Sequence, residues 1–171
     1  MAQRKLAQCK LAEFVLDSEQ IVYATKKIVA LNKHPLLSLV KHTLFFDGCS
    51  KGNPGSAGAG AVLYLDKEEI WATAAFVGAK ETNNVAEYTG LVLGLAEATN
   101  RGIQHLVVKG DSKLVIEQMK GKYQVKAPNL IPLYKQAKQY SATFITIDFI
   151  HVYRNENKRA DELSNQGLVA K

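Results

Sequence analysis

Four acidic residues, Asp47, Glu87, Asp111 and Asp161, stand in local contexts that would aim their carboxylates at one point. Hard oxygen donors gathered this way hold divalent cations, and without a cation their mutual repulsion and desolvation would oppose folding. Asp47 ends the apolar run Leu44-Phe45-Phe46 and opens a glycine-rich stretch, DGCSKGNPG, from Asp47 to Gly55, which predicts an acid at the exit of a buried strand. Asp111 follows Leu106-Val107-Val108-Lys109-Gly110 in the same way. If the two strands are parallel neighbours, the two acids lie side by side. Glu87 and Asp161 are then expected to join them from the first turns of flanking helices.

Each acid has a plainer reading when taken alone. Asp47 could initiate a turn before glycine. Glu87, three residues after Asn84, fits a capping box. Asp111 could cap a helix starting at Ser112, and Asp161 could be a surface acid four residues after Asn157. The functional reading rests on the conjunction of all four.

The elements that must position these acids follow from the apolar pattern. The chain divides near His42. Residues 1–41 lack glycine and place Leu6, Leu11, Phe14 and Val15 on a helical stripe, so an N-terminal helical extension is expected there, with 42–171 as the domain that carries the four acids. Strands are expected over 43–48, 59–65 and 69–77, with the Asp66-Lys67-Glu68 tip joining the last two. A helix follows from Thr82-Asn83-Asn84 to Asn100, ended by Gly102. Next come a strand (104–109), a short helix (112–119), a helix (129–140), a strand (144–152) and a C-terminal helix from Asn155. The order βββαβααβα gives an α/β fold in which an antiparallel hairpin joins a parallel part.

With 171 residues, 47% of them hydrophobic and 22% charged, the chain has the composition of an ordinary globular domain, and no apolar stretch is long enough for a helix to span a bilayer. Two cysteines, Cys9 and Cys49, make no disulfide framework and lack metal-ligand spacing, which suggests an intracellular setting, cytoplasmic before nuclear or organellar. The net charge of +6 points to a polyanionic partner. Between Lys109 and Lys138 seven lysines face only Asp111 and Glu117, so a basic face beside the acid cluster is expected, although a lysine run alone usually marks a solvated surface. Gly58 and Gly60 in SAGAG lead into strand-like residues and so fail as a dinucleotide-binding loop.

Four ordered segments, DGCSKGNPGSAGAGAVL, TNNVAEYTGLVLGL, VVKGDSKLVIEQM and HVYRNENKRADELS, resemble ribonuclease H type 1, in particular its compact branch without a basic protrusion. The resemblance covers residues 43–168. It implies the ribonuclease H-like fold, a five-stranded mixed sheet flanked by helices, and endonucleolytic hydrolysis of the RNA strand of RNA–DNA hybrids. It further implies two Mg²⁺ ions, replaceable by Mn²⁺, with Asp47 and Asp161 on one ion and Asp47, Glu87 and Asp111 on the other. Gly48, Ser50, Asn53, Asn83 and Asn84 match positions that read the hybrid, and Thr82 with the helix start matches a DNA-phosphate pocket. Many relatives carry a histidine on a loop before the last acid. Here that loop is short, His151 falls within a strand pattern, and Arg154 is the expected auxiliary residue, with a simple phosphate contact as its alternative.

Competing readings are a nuclease of the same fold acting on double-stranded RNA, a hybrid-binding module with little activity, and a fragment of a retroelement polymerase. Retention of all four acids weighs against the second. Residues 1–41 are too few for a polymerase. They are expected to dock onto the catalytic domain or a protein partner, because Glu13, Asp17 and Glu19 interrupt the pattern of a long transit peptide.

Overall fold

The structure is a computed structural model that describes residues 41–170. The helical extension expected over 1–41 lies, apart from Lys41, outside the described residues. Five strands form one mixed sheet in the order β3-β2-β1-β4-β5. Strand β1 (His42–Gly52) pairs antiparallel with β2 (Gly55–Leu65), and β2 pairs antiparallel with β3 (Glu68–Glu81). Helix α1 (Asn83–Asn100) leads to β4 (His105–Gly110), which runs parallel to β1. Helices α2 (Lys113–Met119) and α3 (Ile131–Ser141) precede β5 (Thr146–His151), parallel to β4. A single 3₁₀ turn at Arg154–Glu156 then enters α4 (Lys158–Gly167). The expected order βββαβααβα is the one observed.

Alternation along β1 assigns its two faces. Leu44 and Phe46 are fully buried in the main core with Leu91, Leu95, Val108, Val115 and Ile116, which places α1 and α2 on that side. Phe45 points the other way and packs with Val62, Ala160 and Leu163, so α4 covers the opposite face. Both faces of the central strands are therefore closed, as parallel pairing requires. Small residues let the helices approach. A β-carbon on Gly48 would lie 2.1 Å from the Glu87 backbone nitrogen, and one on Gly60 would lie 2.5 Å from the Ala160 carbonyl oxygen. Gly60 thus serves to seat α4 on β2, within the strand that the SAGAG segment was expected to enter.

The boundaries differ from expectation at the site itself. Residues 49–52 continue β1 instead of forming a turn, and β2 begins at Gly55, so the hairpin is longer than its glycine content suggests. Asp47 accordingly sits mid-strand, not at a strand exit. Its position is nevertheless special, because the parallel pairing of β1 with β4 ends at Phe45 and Lys109. Strand β5 is shorter than 144–152, and α4 begins after the 3₁₀ turn rather than at Asn155. Among the described residues no helix is long and apolar enough to cross a membrane.

Candidate active site

The register explains how two acids meet. Thr43, Leu44 and Phe45 lie opposite Val107, Val108 and Lys109, and the same offset carried two residues further brings Asp47 beside Asp111. There β4 has ended and β1 stays paired only to β2, leaving a cleft where the parallel pairing stops, on the side of the sheet where open α/β sheets bind ligands. Helix α1 brings Glu87 into this cleft from its second turn, not the expected first turn, because its backbone rests on Gly48. One carboxylate oxygen from each of Asp47, Glu87 and Asp111 lies within 4.8 Å of the other two. Asp161, in the first turn of α4, is not part of this close trio.

Burial makes the trio unstable as bare charges. Asp47 and Glu87 are 5% and 6% exposed. Desolvation, with the charges of Asp111 and Asp161 adding to it, pushes the Asp47 carboxyl up to about 7, against the lowering effect of the Ser164 and Gly48 hydrogen bonds. Desolvation together with Asp47 and Asp111 raises Glu87 well above the ordinary glutamate value. Glu87 Oε2 has no hydrogen-bond partner, while Oε1 accepts from Asn83 Nδ2 at 3.3 Å. A buried oxygen without a donor, beside two further carboxylates, in a trio that forms no salt bridge among the described residues, is a donor set fitted to a hard cation.

The surrounding side chains hold the carboxylates in place. Ser164 Oγ lies 2.8 Å from Asp47 Oδ2 and 2.9 Å from the Asp161 carbonyl oxygen, so its single proton is shared between them. Asn157 Nδ2 donates to Asp111 Oδ1 at 2.8 Å and to the Phe46 carbonyl at 3.0 Å. Sequence reading singled out neither residue. The available signals were their spacings, four residues before and three residues after Asp161, which place all three near one face of the α4 start. Arg154 Nη2 donates to Asp161 Oδ1 at 2.6 Å, an exposed pair in which the arginine side chain keeps 77% of its surface. His151 ends β5 as the strand pattern predicts, with Nε2 3.1 Å from the Asp111 carbonyl oxygen.

The residues expected to read a nucleic acid form a second cluster. Ser50 Oγ bonds the Glu81 carbonyl at 2.8 Å and also contacts the Gly52 carbonyl, tying β1 to the end of β3. Asn53, at the hairpin tip, accepts from the Asn83 backbone N–H through Oδ1 at 3.2 Å. Thr82 is the N-cap of α1 and accepts from Val85 N at 3.3 Å, so the capping box that Asn84 and Glu87 could have made, the plainer reading of Glu87, does not form. Asn84 follows within the first turn, partly buried. Hairpin tip and helix start therefore make one surface, joined to the acid trio through Asn83 and Gly48. The lysine run is less uniform than expected. Lys109 lies over the Phe45 ring at 5.2 Å, and Lys120 and Lys122 pair with Glu117 at 3.7 and 3.5 Å, while Lys113, Lys126, Lys135 and Lys138 are exposed.

A mixed sheet in this order, with carboxylates where the pairing of its central parallel strands stops, defines a ribonuclease H-like domain. The family described as reverse transcriptase-like matches residues 45–167. A bifunctional protein of Mycobacterium tuberculosis is 44% identical over 125 residues, covering 72% of this chain and 34% of that protein. Its solved N-terminal ribonuclease H domain superposes with a TM-score of 0.73 at 43% identity, covering 77% of this chain and 95% of that domain. Ribonuclease HI of Halobacterium salinarum is 32% identical over 159 residues, covering 89% of this chain and 80% of that enzyme. A ribonuclease H1 called LC11, solved in complex with an RNA/DNA hybrid, gives a TM-score of 0.70 at 32% identity, covering 75% of this chain and 97% of that one. The chain belongs to the ribonuclease H type 1 family. It spans about a third of the length of the mycobacterial relatives it matches.

Proposed function

We propose that residues 42–171 are a catalytic domain that hydrolyses the RNA strand of RNA–DNA hybrids, with magnesium as the physiological ion and manganese able to replace it. The observation that carries this reading is the convergence of Asp47, Glu87 and Asp111 within 4.8 Å around a buried glutamate oxygen that has no partner. The complex of the LC11 enzyme with a hybrid supports the substrate class. The scarcity of cysteines supports an intracellular setting.

Asp47, Glu87 and Asp111 would hold one ion, and Asp47 with Asp161 a second. Bound there, such ions supply a nucleophile at neutral pH and stabilise the charge on the departing 3′ oxygen. The protein's own work is positional. Asp47 stands on a strand hydrogen-bonded to β2 and is steadied by Ser164, which gives it the rigidity a shared ligand needs. Glu87 is fixed by the contact of α1 with Gly48. Arg154 holds Asp161 and, on leaving it, can meet a phosphate at the rim, which makes it the auxiliary residue in preference to His151.

Hybrid recognition is assigned to the surface made by Gly48, Ser50, Asn53, Thr82, Asn83 and Asn84. Polar groups on short, packed segments can reach 2′-hydroxyls across the wide minor groove of an A-like strand. The Thr82 hydroxyl and the Asn84 N–H at the α1 start suit a phosphate of the other strand. A gel assay offering labelled hybrid, duplex RNA, duplex DNA and single strands with Mg²⁺ tests the reading. Cleavage confined to the RNA of the hybrid is expected, and equal cleavage of duplex RNA would move the assignment to a double-stranded RNA nuclease.

A further inference from the structure

Asn157 is 1% exposed, yet it lies between the three elements that carry the aspartates of the site. Its Nδ2 donates one proton to Asp111 Oδ1 at 2.8 Å and the other to the Phe46 carbonyl, the residue before Asp47, at 3.0 Å. Its own backbone carbonyl accepts from the Asp161 N–H at 3.0 Å, opening α4. One side chain and its peptide therefore tie β1, the end of β4 and the start of α4 together.

The amide has a single workable orientation. Turned over, it would set its oxygen against a carboxylate and a carbonyl, whereas as placed its Oδ1 is the buried atom left without a partner. A structure that tolerates an orphan acceptor to keep both donors facing Asp111 and Phe46 is using those donors. Charge matters too. A lysine or arginine here would orient Asp111 but repel a cation at the adjacent carboxylates, and an aspartate would add repulsion. An amide orients a carboxylate without competing for its charge.

We propose that Asn157 is a positioning residue that fixes the Asp111 carboxylate toward the cation point and holds its spacing from Asp47, so that metal affinity depends on it. The proposal rests on the metal-centre reading above. Groups that orient metal ligands from behind typically govern affinity by about 10–100-fold.

The test is Mn²⁺ titration by calorimetry on the full chain, with no nucleic acid present, for wild type and Asn157→Ala. The expected result is a Kd raised about tenfold or more in the variant, with cleavage recovered in part by raising Mn²⁺ and an unchanged KM for hybrid. If Asn157→Ala melts below the titration temperature, Asn157→Leu keeps the side-chain volume and removes the donors. In wild type, the Asn157 side-chain amide resonances should shift as Mg²⁺ is added. A variant that melts lower but binds Mn²⁺ with the wild-type Kd, or amide resonances indifferent to Mg²⁺ while the Glu87 backbone resonance moves, overturns the proposal and leaves the metal centre standing. Failure of wild type itself to bind Mn²⁺ overturns the metal-centre reading as well.

Discussion

The trio built on two buried acids and the half-buried fourth acid solve the same electrostatic problem differently. Asp47 and Glu87 are deeply buried beside Asp111, and both carboxyls are pushed upward by desolvation first, Asp47 further by Asp111 and Asp161, and Glu87 further by Asp47 and Asp111. Asp161 stands at the rim with an arginine already on it, 2.6 Å away. The trio is preorganised and under tension without a cation, whereas the fourth acid is neutralised by the protein itself. Rigid, uncompensated charge is what strong ion binding requires. The trio should therefore provide the principal metal site, and Asp161 should join when Arg154 yields it.

The largest effect that would break this contrast is expected at its centre. Asp47→Asn should keep the fold and lower hybrid cleavage by about 10³-fold or more, about 4 kcal/mol in the barrier, as read by single-turnover kinetics. It should also melt higher than wild type in the absence of metal, because a repelled buried charge is gone. Asp161→Asn should cost much less, about tenfold, because the trio remains intact. Equal losses in the two variants would erase the distinction between them.

The pH dependence of stability sharpens the same contrast. Both buried carboxyls titrate higher in the folded chain than in an unfolded one, so the metal-free fold is favoured while they are protonated. That contribution is lost as pH rises from the ordinary aspartate value of 3.8 through about 7. Thermal melting without metal should fall across this window, and Mg²⁺ should reverse the fall near pH 7. Asp47→Asn should flatten the curve, and a wild-type curve that rises from pH 4 to 7 would contradict the burial argument.

Two smaller effects concern the periphery. Asn84→Ala should weaken the preference for hybrid over duplex DNA by about 1 kcal/mol for a lost hydrogen bond, measured as a ratio of Kd values at fixed salt. If both affinities change alike, Asn84 contributes only to the helix start. Arg154→Ala should leave melting almost unchanged, since an exposed ion pair contributes about 0–1 kcal/mol, while lowering turnover modestly.

Much of this site was legible in the sequence for a physical reason. Apolar runs ending in an acid mark where the parallel pairing of two buried strands stops, so Asp47 and Asp111 could be paired from the sequence, although Asp47 itself lies mid-strand. What failed depends on packing that leaves no pattern in one segment. Residues 49–52 look like a turn because they are polar or small, yet β1 continues there on the hydrogen bonds of the hairpin. Gly48 belongs to the seat of α1 instead of a bend. The roles of Asn157 and Ser164 were hidden because their partners, Asp111 and Asp47, are 46 and 117 residues away in the chain. The cap of α1 was left open among Thr82, Asn83 and Asn84, which are all good caps, and only the backbone conformation selects Thr82.

The most direct measurement of the central claim is calorimetric titration of the full chain with Mg²⁺, compared with Asp47→Asn and Asp161→Asn under the same buffer and salt. Binding is expected in wild type, with its loss in Asp47→Asn and its retention with reduced affinity in Asp161→Asn. Wild-type affinity in Asp47→Asn, or a loss confined to Asp161→Asn, would show that the trio of Asp47, Glu87 and Asp111 is not the metal centre.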